Sequence, residues 1–216
     1  MKGILFTPEM IQAIVEGRKT QTRRVIKPQP KYLEGNPYSQ WFWCKQDISE
    51  IEALQKGINH AVWWDGVKNP NVMTAFARYQ VGEVVYIKEA WGPAEGLKVL
   101  YKASETELSH YEEILIGGWR SPMFMPANNA RYFITITDVR AERLQEITEE
   151  DAIAEGITKS SWKYDIAPYR SHIHKGVNAG RSIAVAAYMD LWNSINKEKW
   201  EMNPWVWVYG FRFERR

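Results

Sequence analysis

Regular alternation of apolar and polar residues near the C-terminus predicts one very regular strand. One face of this strand is aromatic and carries Trp205, Trp207, Tyr209, Phe211 and Phe213. The other face carries Val206, Val208, Gly210 and Arg212. Because successive side chains of a strand point to opposite sides of a sheet, the two faces are expected to meet different surroundings.

Shorter stretches of the same alternation predict four more strands, at residues 20–26, 84–88, 97–101 and 131–139. In the last of these, Tyr132, Ile134 and Ile136 would share one face. A turn at residues 81–83 leads into strand 84–88. Gly92-Pro93 and Gly96 are expected to bracket a loop.

Apolar spacing and capping residues predict a first helix close to the N-terminus. Thr7 can cap it, and Pro8 suits its first position. Its apolar stripe would consist of Ile11, Ile14 and Val15. Gly17 occupies the position of a C-terminal glycine.

Two further helices are predicted in the second half of the chain. One begins after the N-cap Thr148 and ends at Gly156, with Asp151 in place of the usual capping-box Glu. The other covers Ile183–Ile195, and its inward residues would be Ile183, Ala187, Leu191, Trp192 and Ile195.

The predicted elements indicate an α+β fold in a single domain over residues 1–216. Strands outnumber helices, no βαβ rhythm is visible, and long irregular insertions lie near 31–80, 103–128 and 158–180. A short helix is expected at 48–54 within the first insertion. This pattern favours a small, partly closed β-barrel or bent sheet with a few packed helices.

Composition limits the classes of function. The net charge of +2 means that any contact with nucleic acid must come from a local patch. The chain has one cysteine, Cys44, and lacks both a long apolar run and a signal-peptide pattern. We therefore expect a cytoplasmic protein that does not bind membranes.

A basic corner, residues 17–24, follows the first helix and is the first candidate site. Lys19 can hold a substrate anion or, if desolvated, activate a neighbour, and Thr22 can act as nucleophile or orient a carbonyl. Strict alternation puts these two side chains on opposite faces, so they converge only if Lys19 belongs to the corner. Thr22 and Arg24 would share a face. The alternative is a solvated basic turn.

Glu155 is the second candidate. It lies in the last turn of its predicted helix, where the helix dipole disfavours an anion and tends to raise a carboxyl pKa. A carboxyl group of this kind suits a proton carrier. The alternative is an ordinary surface glutamate.

Metal and cofactor chemistry is disfavoured by the remaining motifs. His172 and His174 have no carboxylate partner at ligand spacing, and Cys44 has no local histidine. Gly117-Gly118 is not followed by the residues of a phosphate-binding loop. We therefore predict no metal and no cofactor.

Four blocks in order resemble ASCH domains, which belong to the PUA-like superfamily. They are the corner Gly17-Arg18-Lys19-Thr20-x-Thr22-x-Arg24, the turn and strand from Val81, the strand from Arg131 followed by the helix with Glu155, and the aromatic C-terminal strand. Lys88-Glu89-Ala90-Trp91 and Asn203-Pro204-Trp205 look most like the longer ASCH proteins of bacteriophages and prophages.

The resemblance implies a barrel whose cleft admits a nucleoside or single-stranded RNA. Small members of the family are similar to amidohydrolases that remove acetyl from N4-acetylcytidine, and their catalytic Lys, Thr and Glu match Lys19, Thr22 and Glu155. A bacterial host cell would be the location if the chain is phage-derived. The three insertions are departures from the small enzymes.

Our leading hypothesis is a hydrolase that cleaves an N4-acyl amide on a cytidine-like base, with Lys19, Thr22 and Glu155 as catalytic residues. The candidates for substrate contact are Arg18, Arg23, Arg24, Lys88, Glu89, Trp91 and Arg131. The alternatives are a non-catalytic RNA-binding module, with Trp91 or Trp119 stacking on bases, and a ribonuclease acting on single-stranded RNA.

Overall fold

The structure, a computed structural model, describes residues 1–27, 29, 42–44, 60–64, 73–93, 99–102, 118–158 and 182–215. Its strands are β1 (Gly3–Leu5), β2 (Gln21–Val25), β3 (Phe42–Cys44), β4 (His60–Trp64), β5 (Met73–Phe76), β6 (Val84–Lys88), β7 (Trp91–Pro93), β8 (Val99–Tyr101), β9 (Tyr132–Arg143) and β10 (Trp205–Arg215). Its α-helices are α1 (Pro8–Val15), α2 (Glu149–Ala154) and α3 (Ile183–Ile195). Short 3-10 helices lie at Pro122–Phe124, Ala127–Asn129, Leu144–Glu146 and Trp200–Met202.

A five-stranded sheet in the order β1-β6-β9-β10-β2 forms the centre of the fold. The β1–β6 pair is parallel and the other pairs are antiparallel. Within the described residues β1 and β2 are the two edges, so this sheet is not closed. The guanidinium of Arg24 in β2 nevertheless donates a hydrogen bond to the carbonyl oxygen of Leu5 in β1, at 2.6 Å. The α+β class is confirmed, and the central sheet of the described residues is open and not closed into a barrel.

The two faces of β10 enter two different hydrophobic cores, as the alternation predicts. The aromatic face packs with residues from the N-terminal elements, β6 and β9, among them Ile4, Phe6, Ile11, Ile14, Val85 and Ile134. Val206 and Val208, on the opposite face, pack with residues of α2 and α3. The sheet therefore separates a core under α1 from a core under α2 and α3.

The prediction for α1 is confirmed except at one residue. Thr7 caps the helix by accepting a hydrogen bond from the Met10 amide, and Pro8 is the first helical residue. Ile11 and Ile14 are buried, whereas Val15 is exposed, so it does not belong to the buried stripe.

The boundaries of α2 and α3 are close to those predicted, but two side-chain assignments are wrong. Thr148 caps α2, whereas the Asp151 carboxylate accepts hydrogen bonds from Gln21, Arg23 and Arg140 rather than completing a capping box. In helix α3 the expected Trp192 is buried, and Ala187 and Leu191 pack half-buried against the core under α2 and α3. Both terminal isoleucines, which were also expected to face inward, are exposed. The other buried residues are Ala184, Val185, Ala186 and Tyr188.

The insertions contain regular structure that the sequence pattern did not predict. Strands β3, β4 and β5 form a separate antiparallel sheet in a stretch expected to be irregular. Gly92 and Pro93, expected at the edge of a loop, pair with β8, and Gly96 lies outside the described residues. The predicted helix at 48–54, Leu97, and the loop at 159–180 with His172 and His174 lie outside the described residues. No helix in the described ranges has the length and apolar character to cross a bilayer.

Candidate functional site

Lys19 and Glu155 form a buried contact where the chain enters β2 and leaves α2. The Lys19 Nζ lies 2.6 Å from the Glu155 Oε2 and donates to the Glu155 carbonyl oxygen at 2.8 Å. Their side chains are 0% and 3% exposed. Lys19 lies just before β2 and forms an isolated backbone bridge with Glu155. It therefore belongs to the corner and not to the strand, which is the condition for its side chain and that of Thr22 to converge.

Two glycines shape the backbone around this pair. After α1, Gly17 has a φ of +75°, and the next two amides donate to the Ala13 carbonyl oxygen at 2.9 and 3.0 Å, which turns the chain. Gly156 has a φ of +95°, a value that favours glycine. Both glycines therefore let the chain reverse where the lysine and the glutamate must meet.

Burial dominates the electrostatics of Lys19. Loss of solvent lowers the pKa of its ammonium below the usual value of 10.5, and the charge and hydrogen bond of Glu155 oppose this effect. The neighbouring Arg24 and Arg23 lower the pKa further. A lysine with a lowered pKa loses its proton more readily, which is useful in acid–base chemistry.

Arg23 holds the other side of the Glu155 carboxylate. Its Nη1 lies 3.3 Å from the Glu155 Oε1, and its Nη2 lies 2.5 Å from Glu142 and 2.8 Å from Asp151. Arg140 donates to the same two outer carboxylates. The side chain of Arg23 is thus buried among carboxylates on the α2 face of the sheet.

Thr22 and Arg24 share the opposite face of β2, as the alternation predicts. Thr22 pairs with Tyr209 and Arg24 with Trp207, two residues of the core under α1. The Thr22 side chain is buried, and its hydroxyl makes no hydrogen bond to another described residue. Arg24 lies 5.3 Å from the centre of the Phe6 ring, and Lys19 lies 5.9 Å from the same ring.

A cavity of about 570 Å³ opens between the two edge strands. Its cationic lining residues are Arg24, Lys27, Arg78 and Lys88, and its aromatic lining residues are Phe76, Tyr79, Trp207 and Tyr209. No carboxylate occurs among the described lining residues. The cavity is not lined by Lys19, Thr22 or Glu155. Arg24 does line it and also lies over the Phe6 ring, which Lys19 approaches as well, so Arg24 lies between the Lys–Glu pair and the cavity.

Glu89 and Arg131 form a second, separate cluster. The Arg131 guanidinium binds both oxygens of the buried Glu89 carboxylate, at 3.0 and 2.7 Å. It also lies between two tyrosine rings, 4.0 Å from Tyr101 and 4.5 Å from Tyr132. These contacts hold both side chains in place.

The other predicted contact residues are dispersed. Trp91 is buried beneath Arg120, whose guanidinium lies 4.8 Å from its ring. Lys88 lines the cavity and donates to the Met123 carbonyl oxygen at 2.8 Å. Arg18 is exposed and paired with Glu16. The solvated-turn alternative thus describes Arg18, whereas Lys19 and Arg23 are buried.

Several residues of the region escaped the sequence analysis. Arg78 and Tyr79 lie just ahead of the turn at residues 81–83, and Glu142 and Arg140 lie on a strand predicted to end at residue 139. If the predicted strand had been extended to Arg143, its alternating charges would have placed Arg140 and Glu142 on the sheet.

No family model, curated protein or solved structure matches the chain. In the described ranges, no three His, Cys, Asp or Glu side chains are grouped to hold a metal ion. The site is therefore defined by its own geometry: a buried Lys–Glu pair, a threonine on the adjoining strand and a cation-lined cavity.

Proposed function

We propose that the protein is a hydrolase of a modified nucleoside that cleaves an N4-acyl amide on a cytidine-like base. The observation that carries the proposal is the 2.6 Å contact between the Lys19 ammonium and the Glu155 carboxylate. A buried acid–base pair at the start of the strand that carries Thr22 suits amide hydrolysis. We also propose that the chain is an ASCH domain and that the protein is cytoplasmic.

In the proposed reaction, a water held by Thr22 adds to the acyl carbonyl carbon. The Glu155 carboxylate takes the proton that this water releases, while the Lys19 ammonium stabilises the oxyanion of the tetrahedral intermediate. Alternatively, the proton of Lys19 passes to Glu155 first, and the neutral amine then accepts the proton of the water. Collapse of the intermediate breaks the C–N bond, while Glu155 delivers a proton to the leaving exocyclic amine. The products are a carboxylate and the unmodified base. Arg23 keeps the Glu155 carboxylate oriented.

The test is release of cytidine from N4-acetylcytidine by the wild type and by Glu155→Gln. We expect the variant to lose turnover and to keep most of its affinity, because the amide retains the shape but not the proton transfer. Glu142→Gln is the matched control, since Glu142 contacts Arg23 but not Lys19. Unchanged turnover in Glu155→Gln would overturn the role of this residue.

A non-catalytic RNA-binding module is the second candidate. The observation that favours it is that the Lys19 and Glu155 side chains are closed off, whereas the neighbouring cavity is lined by cations and aromatic rings. This function predicts affinity for single-stranded RNA that falls with salt and weakens in Arg24→Gln. No RNA binding at low salt would exclude it.

A further inference from the structure

We propose that the cavity between β1 and β2 binds the phosphate group of a nucleoside monophosphate. The ligand of the site would then be a phosphorylated nucleotide rather than a free nucleoside. The inference deepens the proposed function and rests on it only for the identity of the base. Its physical basis is the placement of three cations, Arg24, Arg78 and Lys88, around one cavity.

These three cations form no ion pair within the part of the chain that the structure describes, although the charge of Glu155 acts on Arg24 from a longer distance. None of them lies within 4.0 Å of a carboxylate among the described residues. Arg23, on the opposite face of the same strand, contacts three carboxylates. Because clustered like charges repel each other, an unpaired set of this kind is a favourable environment for an anion.

Two of the cations are also held in place. Arg24 uses one N–H on the Leu5 carbonyl oxygen, and Lys88 donates to the Met123 carbonyl oxygen. A guanidinium has five N–H donors and an ammonium has three, so both side chains keep donors for a ligand. Lys27 is different, since it is 76% exposed and lies 3.9 Å from Glu198. We therefore leave Lys27 out of the phosphate site.

The number of cations favours a phosphate monoester over a phosphodiester. A monoester carries about −1.5 to −2 charges at neutral pH and has three acceptor oxygens. A diester in RNA carries one negative charge, for which three cations are in excess. Charge-assisted contacts of this kind are among the stronger hydrogen bonds.

Aromatic residues of the same cavity suit the rest of a nucleotide. Tyr79, Trp207 and Tyr209 line it, and the Tyr79 and Tyr209 rings pack edge to face with centroids 5.2 Å apart. The volume of about 570 Å³ falls within the usual range of small-molecule sites. The cavity thus offers cations for the phosphate and rings for a base.

The test compares binding of cytidine 5′-monophosphate and cytidine to the full chain by calorimetry. Neither probe carries an acyl group, so turnover does not enter the measurement. We expect the monophosphate to bind at least roughly tenfold more tightly, and the preference to weaken as the pH falls below about 6, where the phosphate gains a proton. Arg78→Gln and Lys88→Gln should each reduce the preference without changing the affinity for cytidine. Arg212→Gln is the control, because Arg212 is 74% exposed and does not line the cavity.

Equal affinity for the two probes would overturn the inference, as would a preference that survives both cavity substitutions. Binding of a short cytidine oligonucleotide that lacks a terminal phosphate, without binding of the monophosphate, would also overturn it in favour of a polymer. The proposed hydrolase activity can be disproved while the phosphate site stands. In that case the monophosphate binds with the expected preference, but N4-acetylcytidine and its 5′-monophosphate both remain intact.

Discussion

The backbone of Gly156 lies directly against the side chain of Lys19. A Cβ atom built on Gly156 would lie 3.2 Å from the Lys19 Cβ, and the φ of this glycine is +95°. The glycine therefore both permits the turn after α2 and makes room for the lysine that contacts Glu155.

Gly156→Ala should lower the free energy of unfolding and displace Lys19. Gly17→Ala is the matched control, because Gly17 also has a positive φ but a Cβ there would meet nothing within 4 Å. We expect backbone strain of about 1–2 kcal/mol in both variants and a larger loss in Gly156→Ala. Urea unfolding gives the comparison, and equal losses would show that the contact with Lys19 is unimportant.

Asp151→Asn should remove a stabilisation that is present at neutral pH and lost at acid pH. Partial burial opposes ionisation, but the hydrogen bond from Gln21 and the charges of Arg23 and Arg140 lower the pKa of Asp151 below 3.8. Between the folded-state and unfolded-state pKa values the unfolded chain binds more protons, so this stabilisation exists above about pH 4 and is lost as the pH falls.

Urea midpoints measured from about pH 3 to pH 7 should therefore show the largest difference between wild type and Asp151→Asn at neutral pH. The two curves should approach each other at the acid end. Parallel curves over the whole range would mean that this carboxylate does not contribute through its charge.

Tyr209 should produce a loss of stability at alkaline pH. Burial raises the pKa of its hydroxyl from 10.0 to about 12, against the opposing effect of the backbone hydrogen bonds from Arg78 and Tyr79. The folded protein then holds a proton that the unfolded chain releases. The contribution is complete below pH 10.0 and is lost as the pH rises to about 12.

Tyr209→Phe should flatten this alkaline decline. At neutral pH the variant should be less stable by about 1 kcal/mol, because the Arg78 amide loses its acceptor. Thermal unfolding followed between about pH 8 and pH 11 measures both effects. An unchanged alkaline slope would contradict the assignment of the slope to this residue.

Helix α3 offers a direct test of which of its predicted inward residues are buried. Trp192 is 1% exposed and its indole N–H donates to the Glu198 carbonyl oxygen at 2.7 Å, whereas Ile183 is 46% exposed. Trp192→Ala should cost about 3–5 kcal/mol of unfolding free energy and Ile183→Ala about 0.5 kcal/mol or less. A large loss in Ile183→Ala would show that this residue is buried, as the sequence pattern predicts.

Alternation predicted β10 well because this strand separates two cores. The aromatic residues of β10 and the three apolar residues of β9 are all on the expected side. Helix α3 was harder, because its contact surface uses alanines and Tyr188 while isoleucines occupy its exposed ends. A hydrophobicity pattern gives most weight to the large aliphatic residues, so it identified Leu191 and Trp192 but also counted the two exposed isoleucines.

The candidate site could be predicted only in part for a related reason. The corner lysine and the helix-end glutamate were both identified by their local positions, and the structure brings them together. The carboxylates around Arg23 and the cations around the cavity come from segments far apart in the sequence. Such clusters arise from strand order, which local periodicity does not specify.

The hydrogen bond from Arg24 to the Leu5 carbonyl oxygen spans the gap between the two edge strands. The same guanidinium faces the cavity, so one side chain would contact both the opposite strand and a bound anion. Occupancy of the cavity and the spacing of the sheet edges are therefore thermodynamically linked. A ligand that draws Arg24 away from Leu5 would remove this contact between the two edge strands. Faster amide hydrogen exchange in β1 would then report that the edges have separated.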